Sequence, residues 1–458
     1  MCHYGCRCKS VGRRVMNTPI CDFIENYIKS DAVRLHMPGH KGKSLLGFEN
    51  ADITEISGAD SLFEAKGIIA ESERNTSLLF GSDTFYSTEG SSLSIRAMLY
   101  LFRLWAGENS RVIAVRNCHK AFLTAAALLD LRVDWIYPKK GCSYLSCDFD
   151  ISELEEALKA ENTKTAVYIT SPDYLGGMAD LGAISEICKK YGAKLLVDNA
   201  HGAYLKFLPE SKHPMNLGAS MCCDSAHKTL PVLTGGAYLH ISKGEDEFFK
   251  IRAKDAMSLF ASTSPSYLIL QSLDKANEYI DKGYKNALRD TTEKIAKLRE
   301  DISQLGLETF GSEPLKITIL PKSFGYSGFE IAEFLKERNI HIEFADKDAL
   351  VLMFTAENIG NDIERLISAL KEIPRKCPVK ETAPIIGKPK RALSLRSAVF
   401  SETEVIPSKD SLGRVFAELS ISCPPAVPIA VCGEVIDENI INAFEYYGIT
   451  KCRVIKNI

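Results

Sequence analysis

The sequence predicts an α/β fold, a mainly parallel sheet flanked by helices. Three observations predict it. Between Asp83 and Ile241, short apolar runs alternate with helical stretches of about ten residues, the pattern of strand–helix–strand units with right-handed crossovers. The run Ala193 to Val197 ends in Asp198, which delivers a carboxylate at a strand's carboxyl end, where open α/β sheets hold ligands. Beyond Leu305 a second, smaller set of strands and helices begins.

The elements follow in order. Thr18 to Ser30 places Ile20, Phe23, Ile24 and Ile28 at helical spacing. Leu35 to Lys43 is a Pro/Gly/His/Lys turn segment, and Ile68 to Phe80 is expected to be helical. Asp83 to Tyr86 leads into the first strand, and a helix from Ser92 to Trp105 opens after Gly90-Ser91. Strands are expected at Arg111–Val115, Val133–Tyr137, Ala166–Thr170, Lys194–Asp198 and Gly236–Ile241. Helices are expected at His119–Leu129, Ile151–Ala160 and Ile184–Tyr191. Pro265 to Leu305 reads as long helices crossing a domain boundary. Strands at Leu315–Ile319, His341–Phe344 and Leu350–Phe354, with helices at Phe329–Glu337 and Asp362–Glu372, make a smaller α/β unit. A lysine- and proline-bearing linker, Pro374 to Pro389, precedes a last unit with strand-like and turn-like pieces at Val405–Ser408, Cys423–Val431 and Gly433-Glu434. The expected divisions are 1–80, an N-terminal tail and linker; 81–300, the large domain; 301–376, the small domain; and 377–458, the C-terminal domain.

The bulk numbers exclude several classes. At 458 residues the chain has room for roughly three units and a large core. A net charge of −3 offers no basic excess for nucleic acid or an anionic membrane surface. No apolar run nears the roughly 18 residues of a membrane span. The 14 cysteines are scattered and no secretory signal is recognisable, so reduced thiols and a cytoplasmic location are expected. Cys2, His3, Cys6 and Cys8 lack the second ligand pair of a zinc finger, which favours a tail over a metal site. Ordered-looking sequence begins just after Met16, an expected alternative start.

The chemistry rests on Asp224-Ser225-Ala226-His227-Lys228-Thr229, read with Val197-Asp198-Asn199-Ala200-His201. A lysine beside a turn, after an aspartate-ended strand, is the pair that pyridoxal phosphate requires. The amine of Lys228 would condense with the aldehyde, and Asp198 would keep the pyridine nitrogen protonated. Ser225 and His227 would hold the phosphate or the lysine. Gly90-Ser91-Ser92 opens a helix whose unpaired amides suit a phosphate, although an N-cap alone has the same look. His119 follows a strand's carboxyl end, where an imidazole can stack on a ring; a lone histidine is more often a cap or a surface residue. His36 to Ser44 ends like a nucleotide-binding loop but has Met37 where the first glycine belongs, and no clear helix follows.

Together these segments resemble the bacterial ornithine/lysine/arginine decarboxylase family, in its small form without the receiver-like N-terminal domain. The likeness runs from about Pro19 to the C-terminus. It rests on His36-Met37-Pro38-Gly39-His40-Lys41, Asp52 to Leu62, Arg116 to Lys120, Asp198 to Ala203, Ser225 to Lys228, Ser262 to Tyr267, and Cys423-Pro424-Pro425 with Gly433-Glu434. Two positions depart from the family pattern: Glu89 stands before the Gly-Ser turn, where a carboxylate would repel phosphate, and Cys423 replaces a usual tyrosine. The resemblance implies fold type I, an aspartate aminotransferase-like large domain with small and C-terminal domains. It implies that Ser91 and Ser92 contact phosphate and that His119 stacks on the cofactor. His201 belongs to the cofactor-binding block, and Thr263 lies in a segment reaching the phosphate of a neighbouring subunit in a homodimer or higher homo-oligomer. The implied reaction is α-decarboxylation of arginine, lysine or ornithine, within polyamine metabolism, with arginine favoured by the small format. Lys228 or His227 would return a proton to the α-carbon. Glu434, from this subunit or its partner, and second Asp173, are the expected partners of the substrate's distal cation. A fold type I aminotransferase or lyase would share the Asp/Lys pair and would use an arginine such as Arg375, Arg391 or Arg396 for the substrate carboxylate. A non-enzymatic relative is disfavoured by the presence of Lys228.

Overall fold

In the computed structural model the described residues are 16–161, 163–358, 361–419 and 426–456. The Cys2/His3/Cys6/Cys8 cluster and the Cys423-Pro424-Pro425 segment lie outside them.

The large unit is one seven-stranded sheet: β1 Asp83–Ser87, β2 Arg111–Val115, β3 Arg132–Ile136, β4 Thr165–Thr170, β5 Lys194–Asp198, β6 Met221–Asp224 and β7 Ala237–Ile241, in the order β1-β7-β6-β5-β4-β2-β3. β3, β2, β4, β5 and β6 pair in parallel, and β7 runs antiparallel to both neighbours. Alternate residues face opposite layers, as the pleat requires. Val112, Ala114, Ala166 and Tyr168 pack with α3 (Gly90–Ala106), α4 (Lys120–Leu128) and the later Glu247–Ser258 helix, whereas Ile113, Val115, Val167 and Ile169 pack under α5 (Ile151–Lys159) and α6 (Leu181–Lys190). Both faces are covered, which is why these strands read as unbroken apolar runs. The register sets Thr170 beside Asp198 and Asp198 beside Cys223, so three strand ends open on one edge.

The N-terminal helices α1 (Pro19–Lys29) and α2 (Ile68–Phe80) pack against α9 (Tyr267–Tyr279). Between them, the turn segment 36–44 is followed by no helix, in keeping with the missing nucleotide-loop glycine. After β6 the chain makes a one-turn helix, α7 (Ala226–Thr229), and after β7 comes α8 (Glu247–Ser258). From α9 a π turn, Ile280–Tyr284, leads into α10 (Lys285–Gln304), which gives Ile295, Leu298 and Ile302 to the smaller core. That core is a four-stranded antiparallel sheet, order β10-β11-β9-β8, built from β8 Glu308–Phe310, β9 Lys316–Leu320, β10 Phe344–Ala345 and β11 Leu350–Met353. Helices α11 (Gly328–Lys336, with a Ser327/Glu330 capping box) and α12 (Asp362–Lys371) cover it. The C-terminal unit holds α13 (Leu395–Val399), β12 (Thr403–Pro407), α14 (Glu438–Tyr446) and β13 (Lys451–Ile455), with β12 and β13 antiparallel.

Three expectations are corrected. The strand expected at His341–Phe344 is only Phe344–Ala345, because the antiparallel partner β11 begins at Leu350 and pairs Ala345 and Phe344 alone. The described part of the piece expected from Cys423 to Val431 contains no strand. Gly433 and Glu434 bridge to the backbone of other segments rather than forming a strand of their own.

The small and large units interlock closely. Ser312 and Glu313 donate backbone N–H to the carbonyl of Gly176, at 2.8 and 3.0 Å. Gly311, at φ +91°, lies so near that an added Cβ would sit 2.7 Å from the Gly176 oxygen, so this turn admits glycine alone.

Candidate active site

A cavity of about 380 Å³ opens at the carboxyl ends of β4, β5 and β6. Lys228 reaches it from α7, directly after β6, and places its Nζ 3.0 Å from His201 Nε2. Burial pushes the Lys228 amine below its usual range; Asp198 and Glu343 pull the other way. Asp198 caps the end of β5. Its Oδ2 accepts the Tyr168 hydroxyl at 3.2 Å, and its Oδ1 accepts the Ala200 N–H at 3.2 Å. Burial pushes this carboxyl up, and Lys228 with those hydrogen bonds opposes the push.

His119 is the N-cap of α4. Its Nδ1 accepts the Ala121 N–H at 3.1 Å, so in the neutral ring the proton is on Nε2. Burial, then Lys228 and Lys120, lower it to about 4, so the ring is uncharged near neutral pH. His227 donates Nδ1–H to the Gly236 carbonyl at 2.9 Å, leaving Nε2 as its basic nitrogen, and burial lowers it as well.

At the other end, Gly90, Ser91 and Ser92 line the cavity at the start of α3, and no side chain caps this helix. Ser225 Oγ donates to Ser91 Oγ at 2.8 Å, joining the two hydroxyl segments that the sequence singled out. Glu89 also lines the cavity, and its carboxylate accepts the Ser262 N–H at 2.7 Å; that contact holds the acid at the rim. Asn117 Oδ1 and Thr170 Oγ1, both on lining residues, are buried without a hydrogen-bond partner.

The donor set fits pyridoxal phosphate. An uncapped helix start with hydroxyls suits the phosphate, a buried carboxylate the ring nitrogen, a desolvated amine the aldehyde, and unspent buried polar atoms the ring substituents.

Residues 18–312 match the major domain of the Orn/Lys/Arg decarboxylases. The chain belongs to this family. It is 30% identical over 464 residues to the arginine decarboxylase of Bacillus subtilis strain 168, covering 93% of each. Lysine decarboxylase A from Pseudomonas aeruginosa superposes with a TM-score of 0.79 at 18% identity, over 95% of this chain and 76% of that one. The serine palmitoyltransferase of Sphingomonas wittichii superposes at 0.57 with 13% identity, over 78% and 83% of the two chains. The fold is type I of the pyridoxal phosphate enzymes.

In this decarboxylase Lys228, His227, His119, Asp198, His201, Ser91, Ser92 and Ser225 all line the one cavity. Thr263 does not: it is exposed, next to the Ser262 that Glu89 holds. Asp173 does not either. It is fully buried, and its carboxylate is spent on the N–H groups of Cys147, Leu175 and Gly177 at 2.8–2.9 Å. Glu434 is 2% exposed and lies outside the cavity lining; it pairs with buried Arg116 at 2.9 Å and accepts the Val431 N–H at 2.6 Å. Neither acid is placed to meet a substrate cation in this chain. Pro172, in the Ser171–Asp173 loop expected at a strand's carboxyl end, lines the cavity; Asn117, Thr170, Tyr174 and Thr234 in the lining were not expected, nor was Glu343, which accepts the Tyr174 hydroxyl at 3.0 Å. Asn117 sits in the quoted Arg116–Lys120 block and could have been found there; Glu343 carries no local signal.

A second buried cluster, His213, Asp224 and His240, has the residue types of a metal site. Its geometry is that of a hydrogen-bond network. His213 Nδ1 accepts the Met215 N–H, so its Nε2 carries the proton donated to Asp224 at 2.9 Å, and no lone pair remains for a metal. His240 Nε2 meets the same carboxylate oxygen at 3.1 Å.

Proposed function

We propose that this decarboxylase removes the α-carboxylate of a basic amino acid, arginine foremost, to give the amine and CO2, with pyridoxal phosphate held on Lys228. The observation that carries the reading is the convergence of Lys228, Asp198 and the uncharged His119 imidazole on one cavity. The 30% identical arginine decarboxylase supports the substrate. When bound, pyridoxal phosphate supplies the electron sink for the α-carbon.

The chain's own groups do the rest. The start of α3 with Ser91, Ser92 and Ser225 grips the phosphate, Asp198 holds the ring nitrogen, and His119 fixes the ring plane. His201 steadies the amine of Lys228. Pro172, Ala200, Ala426 and Val427 give the cavity an apolar lining, which leaves a substrate carboxylate poorly solvated and favours its loss as CO2. Lys228 Nζ, or His227 at Nε2, each after first taking up a proton on its free lone pair, then delivers that proton to the α-carbon. Glu343, which accepts the hydroxyl of the lining residue Tyr174, takes the distal cation in place of Asp173 and Glu434. Transamination is disfavoured because no arginine lines the cavity among the described residues. Arg391 binds the Val133 carbonyl, Arg396 the Leu128 carbonyl, and Arg375 lies over Phe324.

A homodimer fits the exposed apolar side chains of the 33–48 segment, among them Leu35 at 90% and Leu45 at 84% exposure. In it, Thr263 would serve the neighbouring site. Light scattering at a single chain's mass would contradict this. A cytoplasmic location accords with the unpaired described cysteines.

The test is a product assay on arginine, lysine and ornithine. The expected result is CO2 with agmatine as the chief amine, abolished in Lys228→Ala, and a borohydride-trapped cofactor adduct at position 228. A keto-acid product, or an adduct elsewhere, refutes the reading.

A further inference from the structure

The small unit sends one charged side chain into the catalytic region. Lys316, the first residue of β9, is fully buried. Its Nζ lies 2.7 Å from Glu313 Oε2, 3.2 Å from the Asp173 carbonyl oxygen and 3.2 Å from His201 Nδ1. Glu313 is itself buried, and its Oε1 accepts the Tyr204 hydroxyl at 3.2 Å. An ammonium has three N–H groups and no lone pair. Paired in charge with Glu313, Nζ directs N–H groups to the Asp173 carbonyl and to His201, so Nδ1 of His201 is an acceptor. A neutral imidazole that accepts at Nδ1 carries its proton on Nε2. That N–H points at Lys228 Nζ, 3.0 Å away, and only an unprotonated amine can accept it.

We propose that Glu313 and Lys316 are positioning residues which fix the tautomer of His201 and thereby hold Lys228 as the free amine, ready for the cofactor aldehyde. The inference rests on the reading of Lys228 as the cofactor lysine.

Other groups facing Lys228 define the balance. Asp198 on β5 and Glu343 from the small unit favour the ammonium, burial and Lys316 disfavour it, and Cys223 on β6, whose thiol burial keeps protonated, adds no charge. His119 and His227 are both lowered by burial and are neutral partners. Burial, Lys228 and Lys316 hold His201 well below the usual histidine range, which agrees with an uncharged ring between two lysines. The glycine-tight contact of Gly311 on Gly176 is what brings Glu313 and Lys316 to this place.

Removing Lys316 frees Nδ1 to take the proton. Nε2 then offers a lone pair to the Lys228 ammonium, and a nearby positive charge is gone. Both changes stabilise the ammonium. The experiment is capture of pyridoxal phosphate by cofactor-stripped protein, followed by absorbance across pH. In Lys316→Met the midpoint of capture is expected to rise by about one pH unit, a roughly tenfold slower capture below the midpoint. Should that variant fail to fold with Glu313 left unpaired, Glu313→Gln/Lys316→Met removes both charges and is expected to show the same rise. A wild-type pH profile in either folded variant overturns the proposal. So does a nitrogen-15 spectrum of the wild-type protein showing His201 protonated at Nδ1, which needs no variant. Capture with an unchanged chromophore in Lys228→Ala would instead defeat the assignment of the cofactor lysine.

Discussion

Glu343 is exposed and lies outside the cavity lining, but accepts the hydroxyl of Tyr174, which lines it, at 3.0 Å. An exposed carboxylate gives a substrate cation only modest binding energy, and it gives that energy equally to bound substrate and transition state. Glu343→Gln should therefore raise KM for arginine about five- to tenfold and leave kcat within about twofold. Steady-state kinetics check this, and an unchanged KM removes Glu343 from substrate binding. The residues legible in the sequence were those whose neighbours in the chain are also neighbours at the site. Lys228 with Ser225 and His227 share one turn, Asp198 with His201 share one strand end, and each group announces itself by spacing. Glu343 and Lys316 belong to the small unit and touch lining residues, Tyr174 and His201, only through packing between units. Glu434 shows the same limit: an acid near the C-terminus says nothing in sequence about Arg116, the buried cation it pairs with.

Among the elements, the alternating series of the large unit was legible because both faces of its sheet are covered and its helices have a clear apolar stripe. β6 escaped because it is four buried residues, Met221 to Asp224, with two cysteines and no alternation to read. α8 has a weak apolar stripe, with Ile251 facing solvent mid-helix and Leu259 at its C-cap, and went unread. β13 was readable, since Cys452 and Val454 are buried between exposed Lys451 and Arg453, but it stands alone at the end of the chain. The start of α1 shows what sequence could not give. Thr18 makes no side-chain cap; the amides of Ile20 and Cys21 are instead accepted by Asp274 of α9 at 2.9 and 3.0 Å. Burial raises the Asp274 carboxyl to about 6 against those hydrogen bonds and that of Ser72. Its folded value lies above the unfolded 3.8, so the ionised form costs stability above pH 6, and this cost is relieved as pH falls toward 4. Relative to Asp274→Asn, the wild type should gain about 2–3 kcal/mol of unfolding free energy between pH 7 and pH 4. Denaturant titrations at the two pH values check it, and parallel pH dependences would contradict it.

For the whole molecule, the C-terminal unit is tied to the large one through Arg116, whose guanidinium meets Glu434 at 2.9 Å and the carbonyls of Pro428 and Ile429 at 3.3 and 3.4 Å. The pair is buried, so removing one charge strands the other. Glu434→Gln should cost about 3–5 kcal/mol of stability and leave KM for arginine unchanged in the fraction that remains folded. Thermal unfolding and kinetics on the same preparation separate the two effects. A raised KM with undiminished stability would return Glu434 to the substrate. The same unit contributes Ala426 and Val427 to the cavity wall, so its seating matters to the reaction.

The contact of Gly311 with Gly176 leaves no space for a methyl group. Hybrids assembled from relatives must respect that seam. A foreign lobe grafted after α10 with any larger residue at this turn would be levered outward by a carbon's width, and with it would go the ammonium that reaches His201. Such a chimaera should fold as two sound halves and still load its cofactor poorly.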